Sequence, residues 1–199
     1  MSASHNPKEW NGFKLVRAKA VPVSDETGIL WMKEKILNHE LVPNTKPGTL
    51  TTSSNIVEKQ LAHDENYINL KNIKPLKVVV DTANGMGAQY IFELFKKLPL
   101  VLLPLNFEFD GSFPAHEADP LKEENMIQLQ KMVIEKGADL GIATDGDGDR
   151  IFFVDDKGKT VSPAIVRGLL ARIFLADKPG SKIGYDVRPG KITPDLILE

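Results

Sequence analysis

The sequence predicts an α/β protein with mixed, largely parallel sheets covered by helices, and three observations carry that prediction. Apolar runs of strand length stand at Val78-Val79-Val80, Leu100–Leu103 and Leu140-Gly141-Ile142-Ala143. Between the first two, Ile91, Leu94, Phe95 and Leu98 recur at helical spacing. A helix is also expected between the second and third, so the order reads β-α-β-α-β, and helical crossovers are what parallel strands require.

Composition sets the bounds. The chain has 199 residues, 42% of them hydrophobic, which is enough for a true core and for one large domain or two small ones. Its formal net charge of -2 carries no basic excess, so nucleic acid and anionic membrane surfaces are not expected partners. There is no cysteine, which excludes disulfides, thiolate metal sites and cysteine nucleophiles. No apolar stretch reaches the roughly 20 residues of a membrane helix, and no secretory leader pattern is present; the expectation is a cytoplasmic protein.

In chain order, Ser2-Ala3-Ser4-His5-Asn6-Pro7 reads as an exposed turn. Trp10–Arg17 is expected as a strand, with Phe13 and Leu15 on one face and Lys14 on the other. Asp25–Asn38 reads as an amphipathic helix through Ile29, Met32 and Ile36. Residues 43–56, rich in Pro, Asn, Thr and Ser, read as a linker and a domain boundary. Val57–Leu70 is a further helix. Asp81–Gly87 is a turn between strand and helix; it lacks the third glycine and the downstream acid of a dinucleotide fingerprint. Asp119-Pro120 is expected to cap and open a helix that Gly137 closes. Asp155–Gly158 is a hairpin turn. Ser162-Pro163 opens a helix that Pro179-Gly180 stops, Lys182–Val187 is expected as a strand, and another helix begins before Glu199.

The most informative segment is Asp145-Gly146-Asp147-Gly148-Asp149-Arg150. Three carboxylates at alternate positions make each other's ionisation harder. A hard divalent cation reverses that cost by taking several oxygen ligands. In an extended strand the three would spread over roughly 13 Å, so only a curled loop lets them converge. The flanks, Leu140–Ala143 and Ile151–Val154, read as buried strands, which places the loop at a strand end, where open α/β sheets bind ligands. A calcium loop of the EF-hand type is a poor fit, with Arg150 at the sixth position and strand-like flanks. The competing reading is a solvated turn, since Asp and Gly are common turn residues.

Among nucleophiles, Ser4 stands out, although a serine hydroxyl needs a base or a metal to activate it and His5 is adjacent rather than remote. His39 and His63 are expected at the surface. His116 is expected as a loop residue, with contact to the acidic loop as the alternative.

Together, Ser2–Pro7 followed by Asn11-Gly12-Phe13-Lys14, the segment Asp81–Gly87, Ala138–Ala143 and Asp145–Arg150 resemble, in this order, the motifs of the α-D-phosphohexomutases, the phosphoglucomutase and phosphomannomutase enzymes. The resemblance covers nearly the whole chain. It implies consecutive α/β domains: 1–50 as the end of a first domain with the phosphoserine loop, 51–160 as a second with the metal loop, and 161–199 as the start of a third. It implies a phosphorylated Ser4 that binds Mg²⁺ together with Asp145, Asp147 and Asp149, Lys14 in acid-base chemistry, Arg150 orienting phosphate, and His5 shaping the serine loop. The implied reaction moves phosphoryl between the 1- and 6-positions of a glucose or mannose phosphate through a hexose 1,6-bisphosphate.

Members of this family are longer, with four domains. The first strands, the sugar-selecting loop and the fourth domain have no counterpart here. The expectation is that this chain alone turns over little or nothing, and that its partners include the missing domains of its own gene. The alternative is a non-catalytic metal-binding or interaction fragment.

Overall fold

The computed structural model describes residues 2–41, 45–67, 72–185, 187–188 and 190–198. Its centre is a five-stranded sheet in the order β2-β1-β3-β4-β5. The strands are β1 (Leu76–Asp81), β2 (Leu100–Leu105), β3 (Leu140–Thr144), β4 (Ile151–Val154) and β5 (Thr160–Val161). β1 runs parallel to both β2 and β3, while β3–β4 and β4–β5 are antiparallel. The sheet is therefore mixed, as expected, with its parallel part where the helical crossovers lie.

The period-2 alternation of β1 decides how the helices pack. Val78 and Val80 face one side, where they meet Ile91 and Phe95 of α3 (Gly87–Phe95). Val79 faces the other side and packs with Leu129 and Val133 of α4 (Ile127–Lys136). All three valines are essentially inaccessible, which is why the run reads as continuous rather than alternating. The remaining helices are α1 (Leu30–Leu37), α2 (Ile56–Asp64), α5 (Pro163–Asp177) and α6 (Ile192–Leu198). No helix among the described residues is long and apolar enough to cross a membrane.

Several local expectations hold. Ser162 caps α5 by accepting from the Ala164 amide, with Pro163 in the first turn. Asp155–Gly158 turns β4 into β5, and Gly137 ends α4.

Others are corrected. Trp10–Arg17 forms no strand; it makes only an isolated bridge, Val16 to Pro22. Its bonds are spent on its own return segment, Arg17 N to Val21 O at 2.8 Å and Val23 N to Leu15 O at 2.9 Å, and Phe13 stays 71% exposed. The helix expected over 25–38 is interrupted: a π-type turn at Asp25–Ile29, capped by Ser24, holds Gly28 outside helical geometry before α1 begins. Leu98 lies beyond α3, in a turn. Asp119-Pro120 does not open α4. The Asp119 carbonyl is taken by the Asn125 side chain at 2.8 Å and its carboxylate by the Leu121 amide at 3.2 Å, so a buried turn and a 3-10 segment, Glu123–Met126, come first.

Lys182–Tyr185 forms no strand, and Val187 is 90% exposed. Asp186 lies outside the described residues, as do Pro43 and Asn44 of the linker and residues 68–70 of the helix expected to Leu70. Residues 45–55 carry no helix or strand.

Candidate active site

The sheet order puts a topological switch beside β1. The β1-α3-β2 connection moves one way across the sheet, and β2-α4-β3 returns past β1 to its other side. The loops leaving the carboxyl ends of β1 and β3 consequently diverge, and that is where open α/β sheets form ligand crevices. The acidic loop is the one that leaves β3.

Backbone contacts curl this loop. Gly148 N donates to Asp145 O at 3.1 Å, and Gly148 adopts φ 75°. Arg150 N donates to Asp145 Oδ1 at 3.1 Å. As a result one carboxylate oxygen from each of Asp145, Asp147 and Asp149 lies within 4.8 Å of the others. Their environments are graded, from Asp145, fully buried, to Asp149, exposed.

The amino-terminal turn, remote in sequence, closes over these acids. Ser4 Oγ donates to Asp145 Oδ2 at 3.2 Å and lies 3.3 Å from His5 Nδ1. Ser2 Oγ donates to Asp147 Oδ2 at 2.5 Å and accepts from Ser4 N at 2.8 Å. Lys14 Nζ reaches Asp147 at 3.0 Å and Asp149 at 3.1 Å. Gly146 is what permits the approach, since a Cβ there would sit 2.5 Å from the Ser4 carbonyl oxygen. Ser4 itself holds φ 56°, a left-handed conformation that a serine adopts only when its surroundings fix it.

The electrostatics follow from this geometry. Burial pushes the Asp145 carboxyl above its ordinary range; Asp147 and Asp149 add to the shift, against hydrogen bonds from the Arg150 amide and Ser4. Burial acts the same way on Asp147, but hydrogen bonds from Ser2 and Lys14 outweigh it and hold that carboxyl below the usual value. Hydrogen bonds to Asp147 and Asp149 raise the Lys14 ammonium.

These residues also fit a hard metal ion. The donor set is all oxygen, as Mg²⁺ prefers, and Asp147 Oδ1 is buried without a hydrogen-bond partner, an acceptor that a cation would satisfy.

All seven residues singled out by the sequence fall in or beside this cluster. Ser4, Lys14, Asp145, Asp147 and Asp149 meet directly, and His5 touches Ser4. The Arg150 guanidinium lies 3.8 Å from Asp145 and lines a 530 Å³ cavity with Arg167 and Arg188.

Sequence reasoning missed Ser2, whose hydroxyl bridges the two loops; its only signal was the alternation Ser2-Ala3-Ser4. It also missed the role of the turn after β1. His116 does not reach the acidic loop. It pairs instead with Asp81, at 3.0 Å.

Residues 57–158 match the family model for phosphoglucomutase/phosphomannomutase, alpha/beta/alpha domain II. A phosphomannomutase of Escherichia coli (strain K12) is 37% identical over 204 residues, covering 99% of this chain and 44% of the relative. A protein of Xanthomonas campestris pv. campestris (strain B100) described as phosphohexose mutases is 37% identical over 197 residues, covering 99% of this chain and 44% of the relative. Among solved structures, a phosphoglucomutase/phosphomannomutase family protein from Burkholderia thailandensis superposes with a TM-score of 0.81 at 28% identity, over 98% of this chain and 42% of that one. The chain thus spans less than half the length of the relatives it matches.

Proposed function

Because the chain belongs to the phosphoglucomutase/phosphomannomutase family, we propose that it carries the nucleophile and the metal loop of a phosphohexomutase, an intramolecular phosphotransferase acting in the cytoplasm. The substrates would be glucose or mannose 1- and 6-phosphates, with a hexose 1,6-bisphosphate as intermediate. The observation that carries this reading is the 3.2 Å contact of Ser4 Oγ with Asp145, with Asp147 and Asp149 beside it. A serine hydroxyl against a cation-binding carboxylate cluster is the arrangement phosphoryl transfer needs, because that reaction depends on positioning and charge compensation.

Asp145, Asp147, Asp149 and a phosphate on Ser4 would hold Mg²⁺, which when bound supplies neutralisation of the transferring group's charge. The rest of the chemistry falls to the chain. In the first transfer the Oγ–P bond at Ser4 breaks while a sugar hydroxyl oxygen bonds to phosphorus, and the hydroxyl proton ends on Ser4 Oγ. Lys14, held as an ammonium by Asp147 and Asp149, would give a proton to Ser4 and recover one from the sugar. The second transfer runs the same exchange in reverse at the other end of the bisphosphate. Arg150 offers a planar donor fork suited to a phosphate, and His5 restrains the serine loop. The division into 1–50, 51–160 and 161–199 belongs to the same proposal; the match of residues 57–158 to a domain II model supports it.

A second reading is a non-catalytic metal-binding or interaction module, which the convergence of Asp145, Asp147 and Asp149 would serve without any transfer step. Incubation with glucose 1,6-bisphosphate and Mg²⁺, followed by intact mass measurement, separates the two. We expect one phosphoryl group gained by the wild-type chain and none by Ser4→Ala, with Mn²⁺ binding retained in both. Sustained turnover is expected only on co-expression with a polypeptide carrying the remaining length of the relatives. Metal binding without phosphoryl uptake, alone or complemented, would establish the second reading.

A further inference from the structure

Asp81 closes β1 at 1% exposure, directly after the buried valines Val78, Val79 and Val80. A carboxylate there requires partners. Its Oδ1 accepts from the Ala83 amide at 2.9 Å and from Asn106 Nδ2 at 3.1 Å; its Oδ2 lies 3.0 Å from His116 Nε2. The other ring nitrogen of His116, Nδ1, lies 2.8 Å from the Glu117 carbonyl oxygen. Neither oxygen can donate, so both ring nitrogens do, and His116 is an imidazolium paired with a buried carboxylate.

This pair touches none of the three loop acids. What it holds is the turn after β1. Ala83 (φ 47°) and Asn84 (φ 59°) are consecutive left-handed residues, a conformation that non-glycine residues avoid and that persists only where it is over-determined. The Asp81 carboxylate fixes Ala83, and the Asn106 carbonyl accepts from the Asn84 amide at 2.8 Å. The turn then delivers Met86 N to the Gly146 carbonyl at 2.9 Å, and a Cβ at Gly85 would lie 2.7 Å from that same oxygen.

We propose that Asp81 and His116 are positioning residues for the acidic loop: their ion pair locks the left-handed turn at Ala83-Asn84, and the turn sets where Gly146, and with it Asp145 and Asp147, come to rest. The consequence for metal affinity rests on the functional reading above; the consequence for loop placement does not.

The test compares His116→Ala, His116→Phe (ring volume without a donor), His116→Gln (a donor restored) and Val133→Ala, a core substitution remote from the turn, all in the full chain. Mn²⁺ affinity is read by electron paramagnetic resonance. We expect about a tenfold loss for His116→Ala and His116→Phe, and near wild-type values for His116→Gln and Val133→Ala. Amide exchange at Met86 should accelerate in the first two variants only. Should His116→Ala be recovered unfolded, His116→Phe decides. Unchanged affinity and unchanged Met86 protection in a folded donor-less variant would overturn the proposal, as would an equal effect from Val133→Ala. If the wild-type chain binds no Mn²⁺, the metal reading fails by itself and Met86 exchange alone decides the positioning claim.

Discussion

Asp145→Asn should make this protein more stable while disabling the metal loop. At 4.8 Å each carboxylate pair repels by about 0.9 kcal/mol even in a water-like dielectric. The substitution removes two such pairs, roughly 1.7 kcal/mol in all. It also removes the attraction to the Arg150 guanidinium at 3.8 Å, about 1.1 kcal/mol on the same scale. The amide keeps an acceptor for Arg150 N and a partner for Ser4 Oγ. Burial holds the Asp145 carboxyl above its ordinary range, so its ionised form is disfavoured in the fold and costs stability once the pH has risen past that value; a neutral side chain escapes this. The balance is a gain on the order of 1 kcal/mol.

Urea denaturation at neutral pH without divalent ions is the assay, since guanidinium chloride would screen the charges in question. With slopes of roughly 1–3 kcal/mol/M the midpoint should rise by about 0.5 M. Adding Mg²⁺ at a hundredfold excess over its dissociation constant should raise the wild type by about 2.7 kcal/mol and the variant little, inverting their order. If the variant is the less stable protein in the absence of metal, the three carboxylates do not impose the cost assigned to them, and the electrostatic case for a cation site fails.

Gly146→Ala places a Cβ 2.5 Å from the Ser4 carbonyl oxygen, so the serine turn must retreat by roughly 1 Å, which takes Ser4 Oγ out of hydrogen-bonding reach of Asp145. Phosphoryl uptake at Ser4 should fall by about 100-fold, and a loss of less than roughly twofold would show that the two loops need not touch. The His116–Asp81 pair gives a stability slope of definite sign. Burial lowers the imidazole's pKa, but its hydrogen bonds to Asp81 and to the Glu117 carbonyl, together with the Asp81 charge, outweigh this and hold it above the ordinary 6.5. The pair's contribution is therefore complete below that value and is lost as pH rises through the raised one. Urea midpoints taken between about pH 6 and pH 9 should fall more steeply for the wild type than for His116→Gln, and parallel profiles would contradict the pairing.

Much of this could be read from the chain alone, because local rules govern it. The valines of β1, the helical spacing of Ile91 and Phe95, the Ser162-Pro163 cap and the glycine at 137 each follow from steric preference within a few residues. The acidic loop was legible for a related reason: crowding like charges is costly, so the pattern itself implies a compensating ligand. The failures all arise from contacts, or missing contacts, beyond the local residue pattern. Trp10–Arg17 and Lys182–Val187 have strand-like composition, but a strand needs a ladder; the first segment finds a single bridge, Val16 to Pro22, and Lys182–Tyr185 joins no sheet. Asp119-Pro120 looks like a helix start, yet the Asn125 side chain claims the Asp119 carbonyl, a competition invisible in residue preferences.

By itself, then, the order of residues determined which segments become strands and helices in the core, and that Asp145, Asp147 and Asp149 crowd like charges in one loop. Only the tertiary structure decided that Ser2, Ser4 and Lys14 meet those acids across more than 130 positions of chain, and that His116 turns to Asp81 instead. The physical reason is that hydrogen bonds and ion pairs between remote segments depend on how the sheet places its loops. That placement combines the packing of α3 and α4 on either side of β1 with the close approach that Gly146 allows between the two loops.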